Sequence, residues 1–435
     1  MPHPSKSKEC MENQSLITIR TVLFFVLIFG LPHVLWIPRK LGVTEEAIPL
    51  GVLNILFLLS FTLYLIGRSR KPVYSNPFKA YSLFMLIVVA GVGIALVMGV
   101  EENSFEVLKT GKNELLLLSL YFLPLVCIKT EKEFLAIFAA FIIIDFVIGI
   151  EVLRSGVLAG SHFHDMKRGA GPFGQGFGWQ GSDIAAGYLA QELIFFVALL
   201  FEKKIGLILR AIIALMGLIM SLGLFATYAR GAFLAVIVGI VFIFLGRGLK
   251  LKHLISFILL LGILTAVIMP ESFKARISGV EKGELDESSL GRLYYYRTAF
   301  LIIKNHPFGV GTGQIRSFME KYTRGGSLEE DSGKYVDPHN SFLYMTCEYG
   351  LLGLGLFMAF IIQLSHNALT IARMDDDDYP TVYKVYALGM FGLIGVFITV
   401  NMFYANFFKD LIMGTVVLHF GMLAYIKADI QRKTI

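Results

Sequence analysis

The chain has 435 residues, 55% of them hydrophobic and 17% charged, and carries a formal net charge of +6. Soluble domains contain about 25% charged residues, whereas this chain combines a low charged fraction with a mean hydropathy of +0.67. The composition excludes a disordered chain, a secreted disulfide scaffold and a soluble enzyme.

Apolar runs of roughly 20 residues, the length that crosses about 30 Å of hydrocarbon, recur along the whole chain. We therefore predict an all-α polytopic membrane protein with about twelve transmembrane helices and a single domain over residues 1–435. The first run lacks a small-residue cleavage site, so we interpret it as a retained helix rather than a signal peptide. In chain order, the predicted spans are 16–37, 47–67, 81–100, 113–128, 134–153, 183–201, 205–226, 231–246, 253–270, 340–364, 383–407 and 410–426.

Lysine and arginine residues concentrate in alternate short connections, such as 68–71 and 203–204, and both termini belong to the same set. Because cytoplasmic loops carry an excess of basic residues, we expect both termini in the cytoplasm. The basic net charge then reports membrane topology, and we predict no nucleic-acid partner.

The connections on the opposite, outer side contain the unusual segments. One is the glycine-rich and aromatic-rich stretch 156–182, and the largest is the loop 271–338. Within that loop, residues 290–303 alternate apolar residues with basic residues or tyrosine, a pattern typical of an amphipathic helix on a membrane surface.

Arg230 is the first candidate site residue, because it stands directly ahead of the apolar run 232–245. The start of a helix offers free N–H groups and a positive dipole end, which favour an anion such as phosphate. An arginine that only anchors the helix at the membrane interface is the alternative interpretation.

His339 is the second candidate. Asp337 followed by Pro338 fits an N-cap and a first helical position, which would place His339 in the first helical turn. A neutral imidazole that faces a cavity can accept a proton from a hydroxyl, whereas an interfacial histidine is the alternative. Glu348 follows in the same predicted helix, and we expect a basic residue or a hydroxyl as its partner.

The remaining polar features carry weaker indications. Arg292 and Arg297 flank three tyrosines of the predicted amphipathic helix, where contact with lipid headgroups is the alternative to a site. Lys167 and Arg168 add basic charge to the outer loop 156–182. The acidic run 375–378 falls in a predicted cytoplasmic loop and is interpreted as a solvated charge run. The three cysteines fit no metal spacing, and we predict no metal site and no cofactor.

Three segments between residues 180 and 360 resemble the O-antigen ligase and polymerase family of bacterial membrane proteins. Residues 227–234 read Thr-Tyr-Ala-Arg-Gly-Ala-Phe-Leu, similar to the family's Ser-Arg-Gly-Ala helix start. Residues 291–313 combine an arginine and aromatic residues with a Pro-x-Gly-x-Gly pattern, and Tyr296 stands where relatives commonly have tryptophan. Residues 339–354 join His-Asn to a Glu-x-Gly-x-x-Gly-Leu helix.

The resemblance implies a metal-independent glycosyltransferase of the bacterial inner membrane. It would transfer a glycan from undecaprenyl pyrophosphate to an acceptor hydroxyl, on lipid A-core, another glycan or a protein, at the periplasmic face. Carried over residue by residue, Arg230 and Arg292 would hold the pyrophosphate and His339 would activate the acceptor. The possible supporting residues are Asn340, Glu348, Arg168, Arg297 and Tyr296.

A structural or sensory membrane protein, in which the arginines and the histidine on one face would be incidental, is one alternative, and two others remain open from the sequence. One is a polymerase of the same family, which would use a second lipid-linked repeat as the acceptor. The other is a transporter of a lipid-linked oligosaccharide, although transporters usually contain repeated halves that this sequence lacks.

Overall fold

The computed structural model describes residues 22–31, 52–67, 76–98, 104–158, 168–173, 179–249, 287–323, 337–374, 379–405, 407–408 and 410–434. Every regular element in these ranges is helical, and a short 3₁₀ turn covers Gly171–Phe173. The α-helices are α1 (Val22–Leu31), α2 (Val52–Gly67), α3 (Asn76–Met98), α4 (Ser104–Ser119), α5 (Phe122–Cys127), α6 (Glu131–Leu158), α7 (Trp179–Leu200), α8 (Leu207–Ala226), α9 (Arg230–Gly246), α10 (Glu287–Asn305), α11 (Ile315–Thr323), α12 (Ser341–Ala372), α13 (Thr381–Phe403) and α14 (Asp410–Thr434).

Within the described residues, seven helices are long and apolar enough to cross a membrane. The prediction of an all-α polytopic membrane protein is confirmed. The count of about twelve spans stays a prediction, because the span at 253–270 and parts of the first two spans lie outside the described residues. The seven spans are Phe78–Met98, Glu131–Val157, Gly181–Leu200, Leu207–Ala226, Ser341–Ala372, Thr381–Phe403 and Ile412–Lys433.

The predicted span 113–128 is not one continuous helix. The structure begins α4 earlier, at Ser104, and separates it from α5 by a turn at Leu120 and Tyr121. Pro124 lacks the N–H that would continue an α-helical ladder to Leu120, and the N–H of Leu123 donates to that oxygen instead, at 3.1 Å. The proline therefore divides this segment into two helices.

The large loop also contains more structure than predicted. Helix α10 includes the predicted amphipathic segment 290–303, and a second helix, α11, follows it. The two helices share a small apolar cluster with the start of α12, in which Ala299, Ile302, Phe318 and Met319 are buried. The cluster gives α10 a fixed position beside α12.

The centre of the molecule is formed by α13 and α14. In the most apolar stretch of each helix, 83% of the residues of α13 and 94% of those of α14 are buried, compared with 28% in α3 and in α8. The outer helices expose large apolar side chains such as Leu86 and Leu215, as helices that face lipid do.

Helix α9 runs antiparallel to α13 at close range. A methyl group at Gly239 would lie 2.4 Å from a side-chain carbon of Val396, and one at Gly246 would lie 2.8 Å from Leu388. Small residues allow two backbones to approach this closely. Because of this packing, α9 begins where α13 ends.

A polar network crosses the interior and joins α6, α7, α13 and α14. The Tyr188 hydroxyl donates to Asp145 at 2.6 Å, and the imidazole of His419 lies 3.0 Å from the Glu192 carboxyl and 2.8 Å from the Tyr386 hydroxyl. Each of these residues is at most 2% exposed. A buried polar group is costly unless it is hydrogen-bonded, so the network fixes the relative positions of the four helices.

Helix α12 is interrupted at Gly350, whose φ of 69° is non-helical. The glycine-rich loop 307–313 occupies the interruption, because its backbone pairs with the groups that the break leaves without helical partners. The N–H groups of Val310 and Gly311 donate to the oxygens of Cys347 and Glu348 at 2.8 and 3.0 Å, and the N–H of Leu351 donates to Pro307 at 3.0 Å.

Glu348 belongs to this junction. Its side chain is fully buried and accepts a hydrogen bond from the N–H of Gly313 at 2.9 Å. Of the two predicted partners, a basic residue or a hydroxyl, the structure supplies the hydroxyl, which is that of Tyr344, and adds the backbone N–H of Gly313. The acidic group holds the glycine-rich loop against the broken helix.

Candidate functional site

The candidate site lies at the end of the helices where α9 and α12 begin and α13 ends. Ser341, the first residue of α12, donates its hydroxyl to Asn401 at 2.6 Å and to the backbone oxygen of Tyr404 at 3.1 Å. Gly231 of α9 lies against the Tyr404 ring. These contacts bring the segments that contain Arg230, His339 and Tyr404 to one end of the bundle.

Arg168 and Asp183 form one side of the site. The Arg168 guanidinium lies 3.6 Å from the Asp183 carboxylate, and the two side chains are 14% and 31% exposed. The residues after Arg168 are held in place, because the N–H of Gly169 donates to Ala226 at 2.8 Å and that of Gly171 donates to the Ser155 hydroxyl at 2.9 Å. The arginine is thereby presented from a fixed backbone.

Asp183 is the shared electrostatic neighbour of three sequence candidates. Its carboxylate interacts with Arg168, Arg292 and His339. These three residues come from the segment before α7, from α10 and from the residues before α12. The fold therefore brings them within electrostatic range of one acidic group.

Tyr404 connects α9, α10 and α13. The Arg292 guanidinium lies over its ring, 5.9 Å from the centroid, and its hydroxyl accepts a hydrogen bond from the N–H of Gly231. Burial, with a smaller contribution from Asp183, raises the pKa of Tyr404 to about 12, while Arg292 and Arg168 act in the opposite direction. The phenol stays protonated at neutral pH.

The backbone at His339 corrects the predicted N-cap. Helix α12 begins at Ser341, and its N-cap is Asn340, whose side chain accepts from the N–H groups of Phe342 and Leu343 at 2.9 and 3.0 Å. His339 therefore precedes the helix and does not lie in its first turn. Asparagine and aspartate are equally favoured as N-caps, and Asn340 takes the position while the Asp337 carboxylate is engaged by His339.

Asp337 binds His339 instead of capping the helix. It accepts from the backbone N–H of His339 at 2.6 Å and lies 3.3 Å from the imidazole Nδ1. The carboxylate is 8% exposed and the imidazole 43% exposed. His339 also has a φ of 44°, an uncommon conformation for a residue with a side chain. Such strain is often found at functional sites.

Two supporting candidates meet at one backbone oxygen. The Tyr296 hydroxyl donates to Met402 at 3.0 Å, and the Asn340 side-chain amide donates to the same oxygen at 3.2 Å. The bonds attach α10 and the start of α12 to the end of α13. Tyr296 and Asn340 thus hold the segments that present Arg292 and His339.

The arrangement is suited to binding an anionic group. Arg168, Arg230 and Arg292 bring permanent positive charge to this end of the bundle. Among the described residues discussed here, these three cations outnumber the two carboxylates, Asp183 and Asp337. Guanidinium groups bind phosphate oxygens with strong, directional hydrogen bonds. In the part of the chain that the structure describes, no three His, Cys, Asp or Glu side chains form a group that could hold a metal ion.

The comparison with known families gives one result for this region. Residues 215–358 match the family model described as O-antigen ligase. The resemblance to the O-antigen ligase family is confirmed. The match supports a membrane glycosyltransferase of the O-antigen ligase or polymerase type. Among curated proteins, no sequence matches the chain.

The segment that matches the O-antigen ligase family contains only part of the site. Arg230, Arg292 and His339 lie inside residues 215–358, whereas Arg168 and Tyr404 lie outside them. The described fold brings both groups together. Two other candidates are positioned elsewhere: Arg297 is exposed on α10, and Glu348 is engaged in the junction with the glycine-rich loop.

Sequence reasoning did not identify Asp183 or Tyr404, and it gave Asp337 a different role. Asp183 stands near the start of a predicted span, which marks it as a carboxylate at a helix end, but no local pattern shows its three neighbours. Tyr404 is one aromatic residue among many near the end of α13. A charged residue at a helix end on the outer side is the signal that could have identified Asp183.

Proposed function

We propose that this protein transfers a glycan from undecaprenyl pyrophosphate to an acceptor hydroxyl at the periplasmic face of a bacterial inner membrane. The carrying observation is the convergence of Arg230, Arg292 and His339, all within the family match, at one end of the described helices. The acceptor is lipid A-core or another glycan or protein hydroxyl, as in an O-antigen ligase.

The proposed chemistry uses the arginines for the leaving group. As the bond between the anomeric carbon and the pyrophosphate oxygen breaks, negative charge grows on the pyrophosphate. Arg230 and Arg292 neutralise that charge, and electrostatic stabilisation of this kind is usually the largest single contribution to catalysis. Arg168 is positioned by Asp183 to add a third cation.

His339 acts on the acceptor. The acceptor hydroxyl oxygen forms the new bond to the anomeric carbon, and its proton passes to the imidazole. Asp337, 3.3 Å from Nδ1, orients the ring and leaves Nε2 available for this proton. General-base catalysis by one histidine contributes about 10²–10⁴-fold to a rate.

The test measures undecaprenyl pyrophosphate released by the purified full-length chain from a lipid-linked glycan in the presence of candidate acceptors. We expect Arg292→Ala and His339→Ala to lower the rate at least about 100-fold, because each removes a charge or base used in the transition state. Arg297→Ala on the same helix and His366→Ala on α12 are matched controls, since both side chains are exposed.

Equal rates in the Arg292 and Arg297 variants would contradict the proposal, provided that all variants elute as the wild type in size exclusion. The length of the product separates one transfer from polymerisation. Movement of the lipid across a vesicle without transfer would instead support the transporter alternative.

A further inference from the structure

A polar cavity lies at the end of the helices that is opposite to the candidate site. It has a volume of about 530 Å³ and lies between the ends of α9 and α12 and the start of α13. The cavity is separated from the candidate site by the length of α9, which is about 25 Å for a helix of 17 residues. The lining residues that matter here are Arg247, Arg373, Lys384, Glu202, Val385 and Leu388.

Two arginines of the cavity are held by the ends of neighbouring helices. Arg373 donates to the backbone oxygens of Leu245 and Gly246 at 2.7 and 3.2 Å, and Arg247 donates to that of Phe201. A guanidinium has five N–H donors, so these bonds to described residues leave further donors that can point into the cavity. The guanidinium groups are therefore fixed before a ligand arrives.

The third cation is Lys384, which is only 7% exposed. A buried ammonium group is costly to desolvate, and such a position indicates a polar or anionic environment around it. Val385 and Leu388 continue the lining on the apolar side. The cavity thus combines a cationic rim with an apolar wall.

The balance of charge favours an anion. Among the described lining residues, three are cations and one, Glu202, is a carboxylate. The C-terminal ends of α7, α9 and α12 and the N-terminal end of α13 meet here. The partial charges of these four helix ends together amount to about one negative unit. The described lining residues and helix ends consequently carry about one unit of positive charge.

We propose that this cavity binds a phosphate group, as a monoester or diester, separately from the site at Arg230 and His339. Planar guanidinium groups match the geometry of phosphate oxygens, and basic pockets between transmembrane helices bind the headgroups of anionic lipids. The phosphate belongs either to a membrane phospholipid or to a soluble compound. The proposal does not depend on the function assigned to the other end.

The test titrates delipidated full-length protein with dioleoylphosphatidylglycerol by native mass spectrometry and with inorganic phosphate by calorimetry. Dioleoylglycerol, which lacks the phosphate, is the ligand control. We expect Lys384→Met and Arg373→Gln to weaken binding about tenfold or more, since a hydrogen bond to a charged group is lost. Lys203→Met, an exposed cation at the same end, is the matched control and stays within about twofold of the wild type.

Arg373→Lys, which keeps the positive charge, is the second variant in case Arg373→Gln does not fold. We expect it to retain part of the binding, because the attraction between opposite charges remains. Binding of phosphatidylglycerol without inorganic phosphate assigns the site to a phospholipid, and competition by inorganic phosphate assigns it to a soluble compound. Unchanged binding in the Lys384 and Arg373 variants would overturn the proposal.

One intramolecular competitor is tested in the same way. Four aspartates, residues 375–378, follow the cavity residue Met374 in the sequence. Changing all four to asparagine leaves the proposed binding in place or strengthens it. If either ligand binds to this variant and not to the wild type, the proposal is wrong, because the cavity of the wild type would then be occupied by the four aspartates.

Discussion

Tyr404 shows how one side chain can join three helices at the candidate site. Its hydroxyl accepts from the N–H of Gly231, its ring lies beneath Arg292, and its backbone oxygen accepts from Ser341. The ring and the hydroxyl therefore have separable roles. The first positions a guanidinium, and the second holds the start of α9.

We expect Tyr404→Phe to lower the rate of glycan transfer about 10-fold, because the N–H of Gly231 loses its acceptor while the ring beneath Arg292 remains. Tyr404→Leu, which also removes the ring, should cost at least 10-fold more. Initial rates at saturating donor measure both. Equal rates in the two variants would show that the ring has no role.

The same residue gives an expectation for pH. Because burial raises the pKa of Tyr404 to about 12, its hydroxyl stays neutral well above the usual tyrosine range. We expect no decline in the transfer rate that is attributable to Tyr404 between about pH 9 and 11. The pH profiles of the wild type and Tyr404→Phe should therefore have the same shape over this interval, differing only in amplitude.

The site residues that sequence patterns identified are recognisable from their immediate neighbours in the chain, whereas those that the patterns missed depend on contacts between distant segments. Arg230 and His339 stand beside apolar runs, and a charge or imidazole at the start of a helix is visible in one dimension. Asp183 obtains its role from Arg168, Arg292 and His339, which are distant in sequence. Contacts of that kind depend on helix packing, which the sequence of one chain does not display.

At the scale of elements, the junction between α12 and the loop 307–313 explains two sequence patterns together. The Pro-x-Gly-x-Gly segment and the Glu-x-Gly segment pair with each other through backbone hydrogen bonds. The sequence predicted one uninterrupted span over residues 340–364. It did not predict the break, because Gly350 is one of several glycines in α12 and only the docked loop distinguishes it.

We expect Gly350→Ala to destabilise the protein by about 2–5 kcal/mol, since a left-handed backbone and a new Cβ 2.5 Å from the carbonyl carbon of Phe308 are both unfavourable. Gly355→Ala in the same helix meets no atom within 4 Å and should be neutral or stabilising by about 1 kcal/mol. Thermal unfolding in detergent compares the two. Similar melting temperatures would mean that the break at Gly350 is not required.

At the scale of the whole molecule, stability depends on polar contacts buried among apolar helices. His419 contacts Glu192 and Tyr386 in the interior network, and all three are at most 1% exposed. The composition predicted a membrane protein, and seven of the spans predicted from apolar runs coincide with described helices that are long and apolar enough to cross a membrane. It could not reveal which buried polar residues face each other. Hydropathy is an average over a whole segment, whereas contacts between polar side chains depend on the rotation of each helix about its axis.

We expect His419→Ala to destabilise the bundle by about 3–5 kcal/mol, because the buried polar groups of Glu192 and Tyr386 would each lose a hydrogen-bond partner and a cavity would be left beside them. His366→Ala, at an exposed position, should leave the unfolding temperature unchanged. Denaturation of both variants in the same detergent tests this. A His419 variant as stable as the wild type would show that the network contributes little.

Tyr228 and His339 are the only non-glycine residues with positive φ in the described ranges, and they precede the two helices that begin at the candidate site. Glycine at either position would relieve a strain of about 1 kcal/mol or more. A search for thermostable variants would therefore select glycine here, and at position 339 it would discard the imidazole. Variants selected for thermal stability and variants selected for transfer rate should therefore differ at these two turns.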